Sequence, residues 1–280
     1  MTPHVSCLCV TENRSAFMPW LLWAYDRQSW QSKELIIIDS SKETFQPNRR
    51  DVRVISSSPG TSVPAKRNMA LAAATGDLIA WFDDDDWQHP ERLRILVEAL
   101  PARAPFAGAT RSWFVDLYTE RCRPYHGHGN IIFNSAIFRR ELVQKVPFDE
   151  QRRKASDTIW MRAITAHSGR GAVLKARDLM LWLSHDTNIS NPRSVRPFSD
   201  DIASIKRQLG EAWGDTDREL ERLRAKLGPP GQPTPWVHPL PRSAFPELTA
   251  GTERRVDRLR RAGRRGTDRL VRGPASDDAA

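Results

Sequence analysis

Short apolar runs alternate with helical-period segments through the first hundred residues. His4 to Val10 and Leu35-Ile36-Ile37-Ile38 read as strands, the second being the unbroken branched type that is buried on both faces of a parallel sheet. Phe17 to Tyr25 carries aromatic and aliphatic residues at helical spacing, and Val52 to Ile55 is a further strand. Ser62 is placed to cap a helix with Pro64 in its first turn, running to Thr75 with Gly76 as its stop. Leu78 to Phe82 is another buried strand, and Pro90 opens a helix through Leu100. Strands and helices in alternation predict an α/β domain with a mostly parallel sheet flanked by helices, Rossmann-like in its layering.

Beyond Ala107 the periodicity loosens. Trp113 to Tyr118, Ile131 to Phe133 and Leu179 to Leu183 read as strands, Arg139 to Lys145 and Thr158 to Ala166 as helices. Residues 200–227 place Ile202, Ile205, Leu209, Leu220, Leu223 and Leu227 on a helical face, and Gly228-Pro229-Pro230 starts a proline-rich stretch. The expected organisation is a catalytic domain over residues 1–195, a helical extension over 196–227, a linker over 228–249 and a basic tail over 250–280.

Composition narrows the setting. Ten tryptophans and 39% hydrophobic residues oppose a disordered chain. The three cysteines are an odd number, and Cys7 and Cys9 are expected on opposite faces of a strand, which opposes a disulfide framework. No signal-peptide pattern and no long apolar run are present, so a cytoplasmic location is expected, with peripheral attachment at the inner membrane face as an extension of it. Much of the net charge of +9 comes from arginines between Arg254 and Arg272, interleaved with Val256, Leu259 and Leu270. That tail reads either as an amphipathic helix for an anionic membrane surface or as a disordered cationic segment. It lacks the interleaved aromatics of a nucleic-acid site, so no specific nucleic acid is expected.

The densest chemical signal is Asp83-Asp84-Asp85-Asp86, directly after a buried strand. Ligands of open α/β sheets bind beyond the carboxyl ends of the strands. Ionised carboxylates about 5 Å apart repel by roughly 3 kcal/mol at an effective dielectric near 20. A hard divalent cation, Mg²⁺ or Mn²⁺, relieves that repulsion; a solvated acidic turn capping the Pro90 helix is the plainer alternative.

The stretch from Gly76 to Asp86, with Pro90 and Leu93, resembles the DXD region of family 2 glycosyltransferases. Other landmarks follow in the family's order: Val5 to Arg14, Leu35 to Ser41, Pro59-Gly60, Ala65 to Leu71, Phe133 to Phe148, Ser156 to Trp160 and Trp182 to Asn191. The resemblance covers roughly residues 4–191 and implies a GT-A fold, a nucleotide-sugar donor, Mn²⁺ or Mg²⁺ as cofactor and inverting transfer. It implies Asp83 and Asp85 as the DXD pair, a metal set of Asp83, Asp85 and His185 with Asp85 the most direct ligand, and Asp83 or Asp84 near the ribose. Thr11, Glu12 and Arg14 stand where the family contacts base and ribose. Asp39 is suited to a nucleobase imino group or to closing a turn with Ser40 and Ser41. Lys66 and Arg67 offer charge to a diphosphate from a helix start, one facing the site and the other solvated. Asp157 is the candidate general base, with helix capping by Ser156 or Asp157 as its alternative role.

Two positions depart from the family pattern: Ser40 stands where a second Asp is common, and Ser156 where a Glu often precedes the base. His126 and His128, in a glycine-rich stretch, are either solvated or border the acceptor cleft. The acceptor itself stays open among glycan, lipid-linked, peptide and small-molecule classes. Two rival functions are a nucleotidyltransferase, which would want a glycine-rich phosphate loop where Thr11 to Ser15 stands, and a non-catalytic sugar- or nucleotide-binding relative.

Overall fold

A computed structural model of the chain describes residues 2–127, 130–152, 155–174, 178–188 and 198–230. The proline-rich linker from 231 and the basic tail lie outside the described residues, as does His128.

The first half follows the hydrophobic pattern closely. Strand β1 (Val5–Thr11) leads into α1 (Met18–Asp26), then β2 (Lys33–Asp39), β3 (Val52–Ser56), α2 (Val63–Ala73) and β4 (Leu78–Trp81). The order β3-β2-β1-β4 is parallel throughout, with Leu8 level with both Ile36 and Trp81. Both faces of this block are covered, which is why the Ile run of β2 is wholly buried. Ser62 caps α2 by accepting the Ala65 N–H at 3.3 Å. The helix stops at Ala73, earlier than its predicted Thr75, and Gly76 has a different role from the expected stop. A Cβ there would lie 2.7 Å from the His4 carbonyl oxygen and 2.7 Å from the Ser6 nitrogen, so glycine lets the chain enter β4 pressed against β1.

The second half departs more. After β5 (Trp87–Gln88) and α3 (Arg92–Ala99) come β6 (Phe106–Ala109), β7 (Arg111–Asp116) and β8 (Arg121–His126). The predicted strand at Ile131 to Phe133 is instead an extended entry to a 3-10 turn, Phe133–Ser135, and the strand is β9 (Ile137–Arg139). Then follow α4 (Arg140–Val143), α5 (Ser156–Ser168), β10 (Ala172–Leu174), β11 (Met180–Ser184), β12 (Asp200–Asp201), α6 (Ala203–Leu209) and α7 (Thr216–Leu227). The described strands make two sheets, β10-β6-β9-β4-β1-β2-β3 and β12-β8-β7-β11-β5. In the first, β9 alone runs against the others; in the second, β7 and β11 are the parallel pair.

One core cluster joins Val5, Cys7 and Cys9 to Trp87, Leu181 and Leu183 of the second sheet, and to Ile205, Leu220 and Leu223 of α6 and α7. Cys7 and Cys9 therefore share one face, since strand side chains alternate with a period of two, and the expectation of opposite faces is corrected. All three cysteines are free and buried, and burial pushes the Cys7 thiol up to about 12. No helix among the described residues is long and apolar enough to cross a membrane.

Arg92 ties this framework to the end of β4. Fully buried under the ring of Phe82, it donates to Gln88 Oε1 at 2.5 Å, to the Trp81 carbonyl at 3.1 Å and to the Asn134 carbonyl. Burial lowers its pKa to about 10, still far above neutrality. Arg92→Met keeps the apolar bulk but orphans three buried acceptors, so a loss of about 3 kcal/mol or more is expected. It would be read as a lower urea midpoint at unchanged slope; a midpoint within error of wild type would refute the role.

Candidate donor and catalytic site

The parallel strands β1, β2 and β4 deliver Thr11, Asp39 and the four aspartates to one edge of the sheet. The aspartates are not equivalent. Asp84 accepts from Thr11 Oγ1 at 2.6 Å and pairs with Arg14 Nη1 at 2.8 Å. Asp85 Oδ2 meets Arg14 Nη2 at 2.5 Å, His185 Nε2 at 3.1 Å and Asn188 Nδ2 at 3.2 Å. Asp83 and Asp86 turn the other way and share the side-chain amide of Asn134.

Their acidities diverge accordingly. Burial raises Asp83 to about 6 and Asp84 to about 7, against partial relief from Arg67 and Arg14 respectively. Asp86 is pushed well up by burial and by the charges of Asp85 and Asp83. Burial also acts to raise Asp85, but Arg14 and His185 outweigh it and hold this carboxyl far below the usual range. Asp85 is thus the anchored anion of the group, and Arg14 its resident cation. Arg14 lies 4.4 Å above the ring of Phe17, which also meets the His185 ring at 4.7 Å with a 39° tilt.

His185 follows β11 directly. Its Nδ1 receives the Thr187 N–H and hydroxyl, and its backbone N–H donates to Asn188 Oδ1 at 2.6 Å, so the loop aims Nε2 at Asp85. Asn188 and Asn134 carried no signal of their own in the sequence, since a single Asn is a common loop residue.

Lys66 and Arg67 are both buried, 2% and 8% exposed, which corrects the expectation that one would be solvated. Adjacent helix positions reach different walls of the site. Lys66 donates to the Thr11 carbonyl at 3.0 Å and Ser40 Oγ at 2.9 Å, and lies 3.5 Å from Glu12. Glu12 in turn accepts the Gly60 N–H at 2.7 Å, the main reason its pKa is lowered. Arg67 sits over Phe133 at 4.6 Å and Phe148 at 5.4 Å and donates to Ser156 Oγ at 3.2 Å. The two serines that replace common acidic residues are therefore the partners of these two cations.

Asp39 closes a turn: its carboxylate oxygens accept the N–H groups of Ser41 at 2.8 Å and Phe45 at 3.0 Å. Each oxygen keeps a second lone pair, so the turn does not exclude a contact with a base. Asp157 is half-buried in the first turn of α5, and its charge is felt at Asp83 and at Tyr125. The cap position of α5 is Ala155, left-handed at φ 54°, so neither Ser156 nor Asp157 is the N-cap. Asp157 Oδ1 accepts the Thr158 N–H at 2.7 Å. His126 is exposed at the end of β8.

Among the described residues no three His, Cys, Asp or Glu side chains form a metal cluster. The expected set of Asp83, Asp85 and His185 is a pair here, because Asp83 is drawn off by Asn134.

A sequence profile described as glycosyl transferase family 2 matches residues 6–151, just over half of the 280 residues. The chain belongs to glycosyl transferase family 2. Among solved structures it is similar to S. aureus TarS 1-349 in complex with UDP, at 17% identity and TM-score 0.54, over 65% of this chain and 61% of that one. The chain thus spans about three fifths of that structure's length. TarS 1-349 in complex with UDP-GlcNAc matches at 16% identity and TM-score 0.56, over 80% and 71% of the two chains. Mannosyltransferase PcManGT from Pyrobaculum calidifontis, in complex with GDP-Man and Mn²⁺, matches at 14% identity and TM-score 0.50, over 81% and 74%. At such identities the likeness is one of fold, and the fold is GT-A. No curated protein matches the chain.

In this member of family 2 the raised carboxyls carry a stability signature. Unfolded aspartates titrate near 3.9, so between about pH 4 and pH 7 the folded state holds protons on Asp83 and Asp84 that the unfolded state has lost. Their contribution to stability is present below pH 4 and lost as pH rises to about 7. Asp84→Asn removes that dependence at its position. Wild-type Tm is therefore expected to fall by a few degrees relative to Asp84→Asn across this window without added metal; parallel Tm curves would contradict the assignment.

Proposed function

We propose that the protein transfers a sugar from a nucleoside-diphosphate sugar, with UDP favoured as the nucleotide, to an acceptor hydroxyl with inversion and metal assistance. The observation that carries this reading is the convergence of Asp85, His185, Arg14, Lys66 and Asp157 around the carboxyl ends of β1 and β4.

The donor set suits a divalent ion. Mg²⁺ and Mn²⁺ are commonly held by one or two carboxylates together with substrate phosphates, not by a closed protein cage. Asp85 with His185 answers that description, and Arg14, now between Asp84 and Asp85, is a positive group already held at the same donors. When bound, the metal would act as a Lewis acid on the diphosphate leaving group. The PcManGT complex with Mn²⁺ supports a metal in a protein of this fold.

The chain's own groups supply the remainder. Lys66 and Arg67 present fixed positive charge from the start of α2, where developing negative charge on a diphosphate is favoured. Thr11, Glu12 and Asp39 form the wall at the ends of β1 and β2, the side assigned to base and ribose. Asp157 takes the proton from the acceptor hydroxyl as its oxygen bonds to the anomeric carbon and the bond to the diphosphate oxygen breaks.

Calorimetric titration of UDP and GDP with Mn²⁺, then with EDTA, tests the reading. One nucleotide is expected to bind only with metal, and Asp85→Ala to weaken it by at least about tenfold. Asp157→Asn should leave that affinity within about twofold while lowering transfer by about 10²-fold or more. Failure of folded wild type to bind either nucleotide would overturn the proposal.

A further inference from the structure

The acidic run holds a cation of its own, and the way it is held sets a condition on any ion that enters. Arg14 Nη2 lies 2.5 Å from Asp85 Oδ2 and 3.2 Å from His185 Nε2, while Nη1 lies 2.8 Å from Asp84 Oδ1. One planar guanidinium thus spans two neighbouring carboxylates and reaches the imidazole as well. Asn188 Nδ2 covers the same pair, at 3.2 Å from Asp85 Oδ2 and 3.1 Å from His185 Nε2. Arg14 therefore uses the oxygen and the negative charge that a divalent ion on Asp85 and His185 would use.

The two donors at Asp85 are held differently. The Asn188 amide is pinned at both ends: its Oδ1 accepts the His185 N–H at 2.6 Å, and its Nδ2 also donates to the Leu183 carbonyl at 3.2 Å. The Arg14 side chain has no such tether. Its Nε is buried without a hydrogen-bond partner among the described residues. Apart from the two carboxylates and the imidazole, the guanidinium has the face of Phe17, at 4.4 Å. The backbone beneath it is fixed: the Phe17 N–H donates to the Arg14 carbonyl at 2.9 Å, and the Asn13 N–H to Ser41 Oγ at 2.6 Å. Rotation of the Arg14 side chain alone frees Asp85, with the loop after β1 left in place.

We infer that Arg14 is a built-in competitor for the divalent cation: it neutralises Asp84 and Asp85 until metal and diphosphate arrive together, and then turns from the carboxylates to the phosphates. A divalent ion alone has to displace a paired arginine and leave that charge beside it. A diphosphate arriving with the ion brings new anionic oxygens, and the planar fork of the guanidinium suits phosphate as well as carboxylate. Metal and nucleotide thereby become coupled ligands, each raising the affinity for the other by the same factor. Lys66 does not share this role, since its ammonium is committed to the Thr11 carbonyl and Ser40 Oγ. The inference rests on the metal-assisted donor reading above and adds to it the group that the metal must displace.

Mn²⁺ binding to the full chain without nucleotide, followed by the EPR signal of the free ion, tests this apart from any transfer activity. Arg14→Met keeps apolar bulk over Phe17 and removes the charge, and should tighten Mn²⁺ binding about tenfold. Arg14→Lys keeps a charge but cannot span two carboxylates, and should tighten it about threefold. Arg49→Met removes an equal charge from the exposed pairs with Asp26 and Asp51 and should leave Mn²⁺ affinity within about twofold. Added UDP should raise the Mn²⁺ affinity of wild type about tenfold or more, and that factor should shrink in Arg14→Met. Mn²⁺ affinity unchanged or weakened in both Arg14 variants would overturn the competitor, as would an equal gain in Arg49→Met. UDP binding with no Mn²⁺ bound by any variant would also overturn it, while leaving the nucleotide site standing. Tighter Mn²⁺ binding by Arg14→Met, in a protein that binds neither UDP nor GDP, would uphold the competition at Asp85 and count against the donor reading instead.

Discussion

Four consecutive aspartates, nearly all carried out of bulk water, set the constraint around which this molecule is arranged. Desolvation opposes ionisation at each, and their mutual repulsion adds to it. The structure resolves the conflict unequally. It concentrates cationic and hydrogen-bonding support on Asp85, divides Arg14 between Asp85 and Asp84, and gives Asp83 and Asp86 a neutral amide from Asn134. These supports come from the loop after β1, the turn before β9 and the loop after β11, which are far apart in the chain. The acidic run therefore acts as the point at which distant segments are pinned, with Arg92 holding the underside.

Much of that plan was legible in advance. An unbroken β-branched Ile run favours a doubly covered strand, and β4 followed by the aspartates marks the sheet edge that carries the site. The weaker half failed for definable reasons. β8 contains Pro124, which argues against a strand, yet Pro124 faces Trp113 across an antiparallel pair near the sheet margin. β6, Phe106–Ala109, is short, and after Phe106 it holds only Ala and Gly, so neither its length nor its composition marks it. Ile131 to Phe133 has strand composition but is followed by a turn, and the pairing falls to Ile137–Arg139.

The site residues divide in the same way. Residues whose role comes from charge at a strand end, such as Asp85 and Arg14, show in the pattern. Supporting residues do not. Arg92 carries no mark in the helical pattern, yet it lies sealed beneath Phe82. Lys66 and Arg67 illustrate the limit of helical-wheel reasoning: neighbours about 100° apart are both buried because the α2 start is enclosed on two sides, by the β1 and β2 loops and by the Phe133, Phe148 and Trp81 rings.

The two sheets meet at His185. Strand β11 lies between β7 and β5 in the second sheet, while His185, the residue directly after it, meets the carboxylate of Asp85 delivered by the first. A strand is stiff over so short a span, so the pairing of β11 with β7 sets where the His185 backbone stands. Direct displacement requires nucleophile and leaving group to be held in line. Seating the imidazole that holds Asp85 directly after a paired strand gives the anchor of the acidic run a backbone position set by the fold itself.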